Sequence, residues 1–212
     1  MMGAARLRWL ARQFARPRGP LGRWLIAPWL NRIGRDMNRL ALAELGVGPA
    51  DDVLEIGFGG GELLGWLRAA TNGLVYGADI SAAAVARARR RLGGGVELFE
   101  ASVEALPLSD AAVDRACSVN NLYFWPDPAA GMAELARVVR PGGRLAVAFE
   151  PPEELRKWPG HRHGFRLFEE EEVRALMAQA GFARIRRAEG RGRRPDRFLC
   201  LTGERADPEA AA

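Results

Sequence analysis

Val53-Leu54-Glu55-Ile56-Gly57-Phe58-Gly59-Gly60-Gly61 is the stretch from which the rest of the chain is read. An apolar strand carries one acidic residue and runs into a glycine-rich turn, and Glu62-Leu63-Leu64-Gly65-Trp66-Leu67 then opens a helix. Strand, glycine turn and helix in succession is how an open α/β sheet holds an adenosine-containing ligand beyond the carboxyl ends of its strands. Glycine suits such a turn because it adopts positive φ and lets a ligand approach the backbone.

The spacing separates cofactors. A dinucleotide fingerprint, G-x-G-x-x-G/A, requires a small residue at position 62. This chain has Glu62 there, and a carboxylate would face a pyrophosphate. The pattern is instead acidic-x-G-x-G-x-G on Glu55, Gly57, Gly59 and Gly61. Asp79 follows at the end of the next apolar run, Leu74-Val75-Tyr76-Gly77-Ala78-Asp79. Its carboxylate can accept two hydrogen bonds from a ribose diol. It could alternatively cap the following helix, although Ser81 already supplies an N-cap there.

Working outward, helical and strand patterns alternate. Residues 35–45 read as a helix with Met37, Leu40 and Leu45 on one side and Gly46 as its stop. Further helices are expected over 82–92, over 128–139 behind the cap Asp127 and first-turn Pro128, and over 168–180 ahead of Gly181. Strands are expected at 96–100, 113–119, 143–149, 182–188 and 197–202. This alternation predicts a mostly parallel sheet covered on both faces, with an antiparallel hairpin at one edge where the last connection is short.

Four segments in order make the pattern specific. After the glycine motif comes Ala101-Ser102-Val103-Glu104-Ala105-Leu106-Pro107-Leu108. Then follow Cys117-Ser118-Val119-Asn120-Asn121-Leu122-Tyr123-Phe124-Trp125-Pro126-Asp127 and Leu135-Ala136-Arg137-Val138-Val139-Arg140-Pro141-Gly142-Gly143-Arg144-Leu145. Together, over residues 50–150, they resemble class I S-adenosylmethionine-dependent methyltransferases, close to the small-molecule branch that includes ubiquinone- and menaquinone-biosynthesis enzymes. The resemblance implies a Rossmann-like seven-stranded sheet in the order 3-2-1-4-5-7-6, with strand 7 antiparallel, helices on both faces and an N-terminal helical extension. It implies S-adenosyl-L-methionine as cofactor, contacted by Glu55, Gly57, Gly59, Gly61, Asp79, Ile80, Ser102, Val103, Glu104 and Asn120. Ser102 stands where the family has an acid beside the adenine, so any hydrogen bond it accepts there carries no charge. Tyr123 and Phe124 stand where many members have a histidine pair.

Transfer of a sulfonium methyl requires alignment of an acceptor and exclusion of water, with a general base depending on the acceptor. Tyr123, His161 and His163 are the candidates for orienting or deprotonating a small-molecule acceptor, the two histidines being the chain's only ones. Glu150, at the end of the fifth expected strand, is a further candidate base, or else a capping or ion-paired group. Phe124 and Trp125 are expected to pack under the helix that follows.

Composition bounds the alternatives. The 212 residues suffice for one α/β domain plus an extension, divided as an N-terminal basic extension or lid at 1–45, a methyltransferase domain at 46–203 and a frayed tail at 204–212. No apolar run approaches a membrane span, and the first residues lack a secretory pattern, so a cytoplasmic protein is expected. Cys117 and Cys200, both in apolar runs, are expected to be free thiols, and no spacing suggests a metal site. The implied strand order places one strand between the cysteines, a separation of about 9–10 Å, beyond disulfide reach.

Charge is uneven. Residues 1–40 hold nine arginines against Asp36 alone, a local +8 in a chain of net +5, which leaves the remainder at −3. Arginines there alternate with Trp9, Phe14, Trp24 and Trp29, which suits either a lid over the acceptor pocket or a peripheral membrane contact. A methyltransferase acting on a membrane lipid or isoprenoid quinone is therefore one alternative. An NAD(P)-dependent oxidoreductase is another, disfavoured by Glu62. A nucleic-acid-binding module is a third, disfavoured because the arginines lie mostly outside the glycine-motif site.

Overall fold

The structure is a computed structural model that describes residues 8–9 and 34–207. The reading of the arginine- and tryptophan-rich arm falls, but for positions 8, 9 and 34, outside the described residues. In chain order the elements are α1 (Arg35–Leu45), β1 (Val53–Ile56), α2 (Glu62–Ala70), β2 (Val75–Asp79), α3 (Ala82–Leu92), β3 (Glu97–Glu100), β4 (Val113–Val119), α4 (Pro128–Val138), β5 (Val139–Phe149), the one-turn α5 (Pro152–Leu155), α6 (Glu170–Gln179), β6 (Phe182–Gly190) and β7 (Phe198–Arg205). Short 3-10 turns at Leu122–Phe124 and Pro159–Arg162 follow β4 and α5.

The strands form one sheet in the order β3-β2-β1-β4-β5-β7-β6. β1 pairs in parallel with β2 and β4, β2 with β3, and β4 with β5. β7 runs antiparallel to both β5 and β6. This is the order the resemblance implied. All four residues of β1 are buried, as a central strand covered on both faces requires.

Alternating side chains divide the core between the two faces. On one face Leu54, Ile56, Ala116, Leu145 and Val147 pack with Met132 and Leu135 of α4 and with Val173 and Met177 of α6. On the other face Val53, Cys117, Ala146, Ala148 and Cys200 pack under Met37, Ala41 and Leu45 of α1, with Leu63, Leu64 and Leu67 of α2 and Ala84, Val85 and Ala88 of α3. Each fully buried leucine or methionine contributes roughly 1.5–3 kcal/mol. In α1 the buried stripe is therefore Met37, Ala41 and Leu45, with Leu40 only partly covered. Cys117 and Cys200 are free and buried on strands separated by β5, where Cys117 pairs with Ala146 and Cys200 with Ala148.

The largest boundary differences from the sequence reading lie in β5 and β7. β5 starts at Val139, not Gly143, because Val139 already pairs with Val113, and residues 140–143 form an irregularity before pairing resumes at Arg115 and Arg144. β7 extends to Arg205, so Glu204 is not part of a frayed tail. It pairs with Ala183 and Arg144 across the ladder, and its carboxylate meets the Arg184 and Arg144 side chains.

The order reverses between β1 and β4, where chain order steps away in opposite directions. Loops leaving the two strands part there and open a crevice at the carboxyl edge of the sheet.

Candidate active site

A cavity of about 710 Å³ fills that crevice. Its walls come from the loops after β1, β2, β3, β4 and β5, from the start of α1 and from the β6–β7 link. Gly57, Gly59, Glu55, Asp79, Ile80, Ser102, Val103 and Asn120 line it, so eight of the ten expected cofactor positions converge there. Gly61 and Glu104 do not line it.

Gly57 has φ +67°, and a Cβ there would lie 2.3 Å from Asn121 Nδ2. That nitrogen donates to the Ile56 carbonyl at 2.5 Å, while Asn121 Oδ1 accepts from Ser118 Oγ at 2.8 Å and Trp125 Nε1 at 2.7 Å. Asn121 thus ties the ends of β1 and β4 together. At Gly59, φ is +49° and a Cβ would have only Gly57 O within 4.0 Å, so that position faces open cavity. Gly61 instead serves the helix: it is the left-handed N-cap of α2, and its N–H donates to Phe58 O at 2.7 Å. Gly60 lines the cavity and its carbonyl accepts from Arg91 of α3 at 2.9 Å.

Asp79 holds this turn in shape. Its Oδ2 accepts from Gly59 N at 2.9 Å and its Oδ1 from Ser81 N at 2.8 Å. The helix cap belongs to Ser81, whose hydroxyl accepts from Ala84 N. Next to Asp79, Glu55 is almost wholly buried. Burial first, and the Asp79 charge second, push its carboxyl up to about 8, so it is protonated at neutral pH. Glu62 also lines the cavity, and its Oε1 accepts from Arg35 Nε at 3.0 Å and from the Arg35 guanidinium NH2 at 2.6 Å. Among the described residues, Glu55 Oε2, Glu62 Oε2 and Asn120 Oδ1 are buried without a hydrogen-bond partner. Asn120 itself sits at φ +58°, a conformation that asparagine tolerates and that clusters at functional sites.

The loop after β3 supplies Ser102 and Val103 to the wall. The Ser102 hydroxyl donates to Glu104 Oε2, and Glu104 Oε1 accepts from Asp127 N at 3.1 Å. Glu104 therefore acts from behind, joining the β3 loop to the cap of α4.

The three expected catalytic side chains are not brought to the cavity. Tyr123 is buried and its hydroxyl accepts from the backbone N–H of Glu150, with burial driving its phenol pKa well up. His161 and His163 lie on and after the 3-10 turn behind Trp158, where His161 Nδ1 meets Trp158 O at 2.7 Å. The fold carries them past the rim because residues 151–158 fold inward first, burying Pro152, Glu154 and Leu155. The residue that does reach the cavity is Glu150. Burial, then the nearby Glu154 charge, raises its carboxyl to about 7.

Around it stands an aromatic wall that the sequence reading assigned to packing or left out. Phe124 meets Phe165 edge to face at 4.6 Å, and Phe165 meets Trp158 at 5.3 Å. Trp125 completes the lining. Trp125 also packs under α4, where a Cβ on Gly131 would come within 2.8 Å of its ring. Asn121 was visible as the second asparagine after β4, but its role depends on Gly57, sixty-four residues away. Trp158 and Phe165 carry no spacing signal. Among the described residues, no group of three His, Cys, Asp or Glu side chains could hold a metal ion, and no helix is long and apolar enough to cross a membrane.

Comparison with known proteins agrees with this geometry. Residues 54–147 match the methyltransferase domain family. An uncharacterized methyltransferase, YdaC, of Bacillus subtilis is 34% identical over 119 residues, covering 55% of this chain and 66% of the relative. The methyltransferase GfsG of Streptomyces halstedii is 36% identical over 124 residues, 56% of this chain and 45% of the relative. The chain thus spans just under two thirds of the one relative and under half of the other. A crystal structure of an S-adenosylmethionine-dependent methyltransferase of Thermotoga maritima, described as a possible histamine N-methyltransferase, superposes with a TM-score of 0.69 at 24% identity, over 86% of this chain and 93% of that one. The matched segment runs from the glycine-motif strand into β5, and the 3-2-1-4-5-7-6 sheet around it is the class I methyltransferase fold.

Proposed function

We propose that the chain transfers a methyl group from S-adenosyl-L-methionine to a small-molecule acceptor. The observation that carries this reading is the turn at Gly59: its Cβ direction is open cavity, its N–H is held by Asp79, and Glu55, Glu62 and Asn120, each with a buried oxygen lacking a partner, line the same cavity. That set of acceptors fits the cofactor. A turn flanked by hydrogen-bond acceptors, with Asp79 charged, suits a ligand bearing a sulfonium, an amino group and a ribose diol.

Asp79 is the residue to receive a ribose diol, with Ile80 giving an apolar surface beside it. Ser102 and Val103 would border the adenine, and Asn120 and Glu55 the amino-acid end. The cofactor supplies an activated methyl. What the chain adds is alignment, a dry site, and a place for any proton released by the acceptor. The β4 loop and the segment after β5 form the other half of the cavity, and the acceptor is expected there.

Gly34 and Asn38 border the cavity where α1 begins, which supports reading the preceding arm as a lid. Sedimentation of the intact protein with anionic vesicles would favour the membrane alternative and a lipid or quinone acceptor. A cytoplasmic location belongs to the same proposal.

Calorimetry tests the reading. Wild-type protein should bind S-adenosylmethionine and its demethylated product but not NAD(P)H. Folded Gly59→Val and Asp79→Ala variants should each lose at least tenfold in affinity. Wild-type affinity in both variants would rule the site out.

A further inference from the structure

The mechanism so far leaves one polar cavity group without work. Glu150 follows the last residue of β5, lines the cavity, and has no hydrogen bond to its carboxylate among the described residues. Its backbone is pinned, because Tyr123 accepts the Glu150 N–H. Glu150 is half-buried, so its carboxylate can be reached from the cavity while the apolar lining disfavours its charge. Facing the same space are the rings of Phe124, Trp125, Trp158 and Phe165. Three of these form a continuous edge-to-face run, which leaves flat apolar surfaces beside a single oxygen-bearing group.

We propose that Glu150 is the proton acceptor of the reaction and that the methyl acceptor is a flat aromatic molecule bearing a protic O–H or N–H. This rests on the methyl-transfer reading above. The acceptor's oxygen or nitrogen forms the new bond to the methyl carbon as the S–CH₃ bond breaks, and that electron pair stays on sulfur. The acceptor's proton passes to a Glu150 carboxylate oxygen and from there to solvent. Sulfonium charge is thereby exchanged for a released proton, so the step balances without a further reactant. An acceptor that is already a carboxylate has no proton to lose, so it gives Glu150 nothing to accept. A purely hydrocarbon acceptor would offer Glu150 no proton to accept.

Several charged or titratable groups share this space and shape its pH response. Glu154 of α5 is the nearest, and its own charge is paired with Lys157 at 2.7 Å. Lys157 also reaches Asp196 at 3.1 Å, in the β6–β7 link that brings Arg193 and Arg194 to the cavity. From the β4 side comes the Tyr123 hydroxyl. Burial and Glu154 hold the Glu150 carboxyl at about 7, a value suited to accepting a proton near neutrality.

The test uses full-length protein and defined probes. Binding of S-adenosylmethionine is measured first, in wild type and Glu150→Gln. Loss in wild type refutes methyl transfer itself, whereas binding in both isolates the present inference. Formation of S-adenosylhomocysteine is then followed with catechol, 1-naphthol, aniline and benzoate, with product mass identifying the methylated compound. The expected result is turnover of at least one of the first three and none of benzoate, with naphthol against aniline separating O from N transfer. The rate should rise through about pH 7 in wild type, and kcat should fall about 100-fold or more in Glu150→Gln with little change in KM. Trp158→Ala should raise KM for the aromatic probe about tenfold while leaving cofactor affinity intact. As a readout independent of turnover, ¹³C-carboxyl NMR should show a glutamate titrating near neutrality that is missing from Glu150→Gln. Any one of four results overturns the proposal: benzoate as the preferred acceptor, no protic aromatic turned over by protein that binds S-adenosylmethionine, a pH-independent wild-type rate, or an unchanged kcat in Glu150→Gln.

Discussion

Asn121 occupies the volume into which a side chain at Gly57 would project: a Cβ there would lie 2.3 Å from its amide nitrogen and 2.6 Å from its amide carbon. The same amide bridges the Ile56 carbonyl, the Ser118 hydroxyl and the Trp125 indole, so the turn, β4 and one ring of the cavity wall share a single support. Gly57→Ala should therefore cost about 1–3 kcal/mol from overpacking, with added strain from φ +67°, and should weaken cofactor binding. Urea unfolding and calorimetry measure the two effects. Asn121→Ala in the Gly57→Ala background should recover part of the packing loss but not the backbone strain.

Tyr123 is a positioning residue, and its removal should separate from loss of the histidines. Tyr123→Phe leaves the buried Glu150 N–H without its acceptor, at a cost of about 1–3 kcal/mol. Turnover should fall while cofactor affinity holds. His163→Ala, outside the cavity, should keep its rate within about twofold of wild type, since surface changes away from special features are nearly neutral. A rate loss in His163→Ala matching that of Tyr123→Phe would contradict this placement.

Glu55 makes stability fall as pH rises. Burial, then Asp79, lifts its folded carboxyl from the ordinary 4.5 to about 8. Between those values the folded state keeps a proton that the unfolded chain has released, so the contribution is present in full below about 4.5 and lost as pH climbs through about 8. The slope is up to about 1.4 kcal/mol per pH unit, reinforced in the same direction by Glu150. Glu55→Gln should flatten the profile and gain on wild type at alkaline pH. Urea midpoints at pH 5 and pH 8.5 check this, and parallel profiles would show that Glu55 is ionised in the folded state.

Glu104 joins the β3 loop to the cap of α4 from outside the cavity. Glu104→Ala removes the acceptors for Ser102 Oγ and Asp127 N. The expected cost is about 1 kcal/mol, with several-fold weaker S-adenosylmethionine binding. Ser102→Ala alone should show the smaller effect on stability, because the Asp127 link survives.

The alternation of strands and helices and the glycine turn at one sheet edge were legible in the chain itself, and the strand order followed from the family resemblance. Glu55, Gly57, Gly59 and Asp79 announce themselves because strand, turn and cap preferences act over a few residues, and each element obeys its own period. What only the tertiary structure decided is which side chains face one another across that edge. Gly57 needs Asn121 for company, Glu62 takes Arg35 from the first helix, and Tyr123 turns away to hold Glu150, all over separations of 27 to 64 residues. The histidines looked like the acceptor chemistry because their ordinary pKa lies near neutrality. Burial at the end of β5 gives that property to Glu150, since desolvation depends on what packs around a carboxyl and leaves no mark in the spacing of residues.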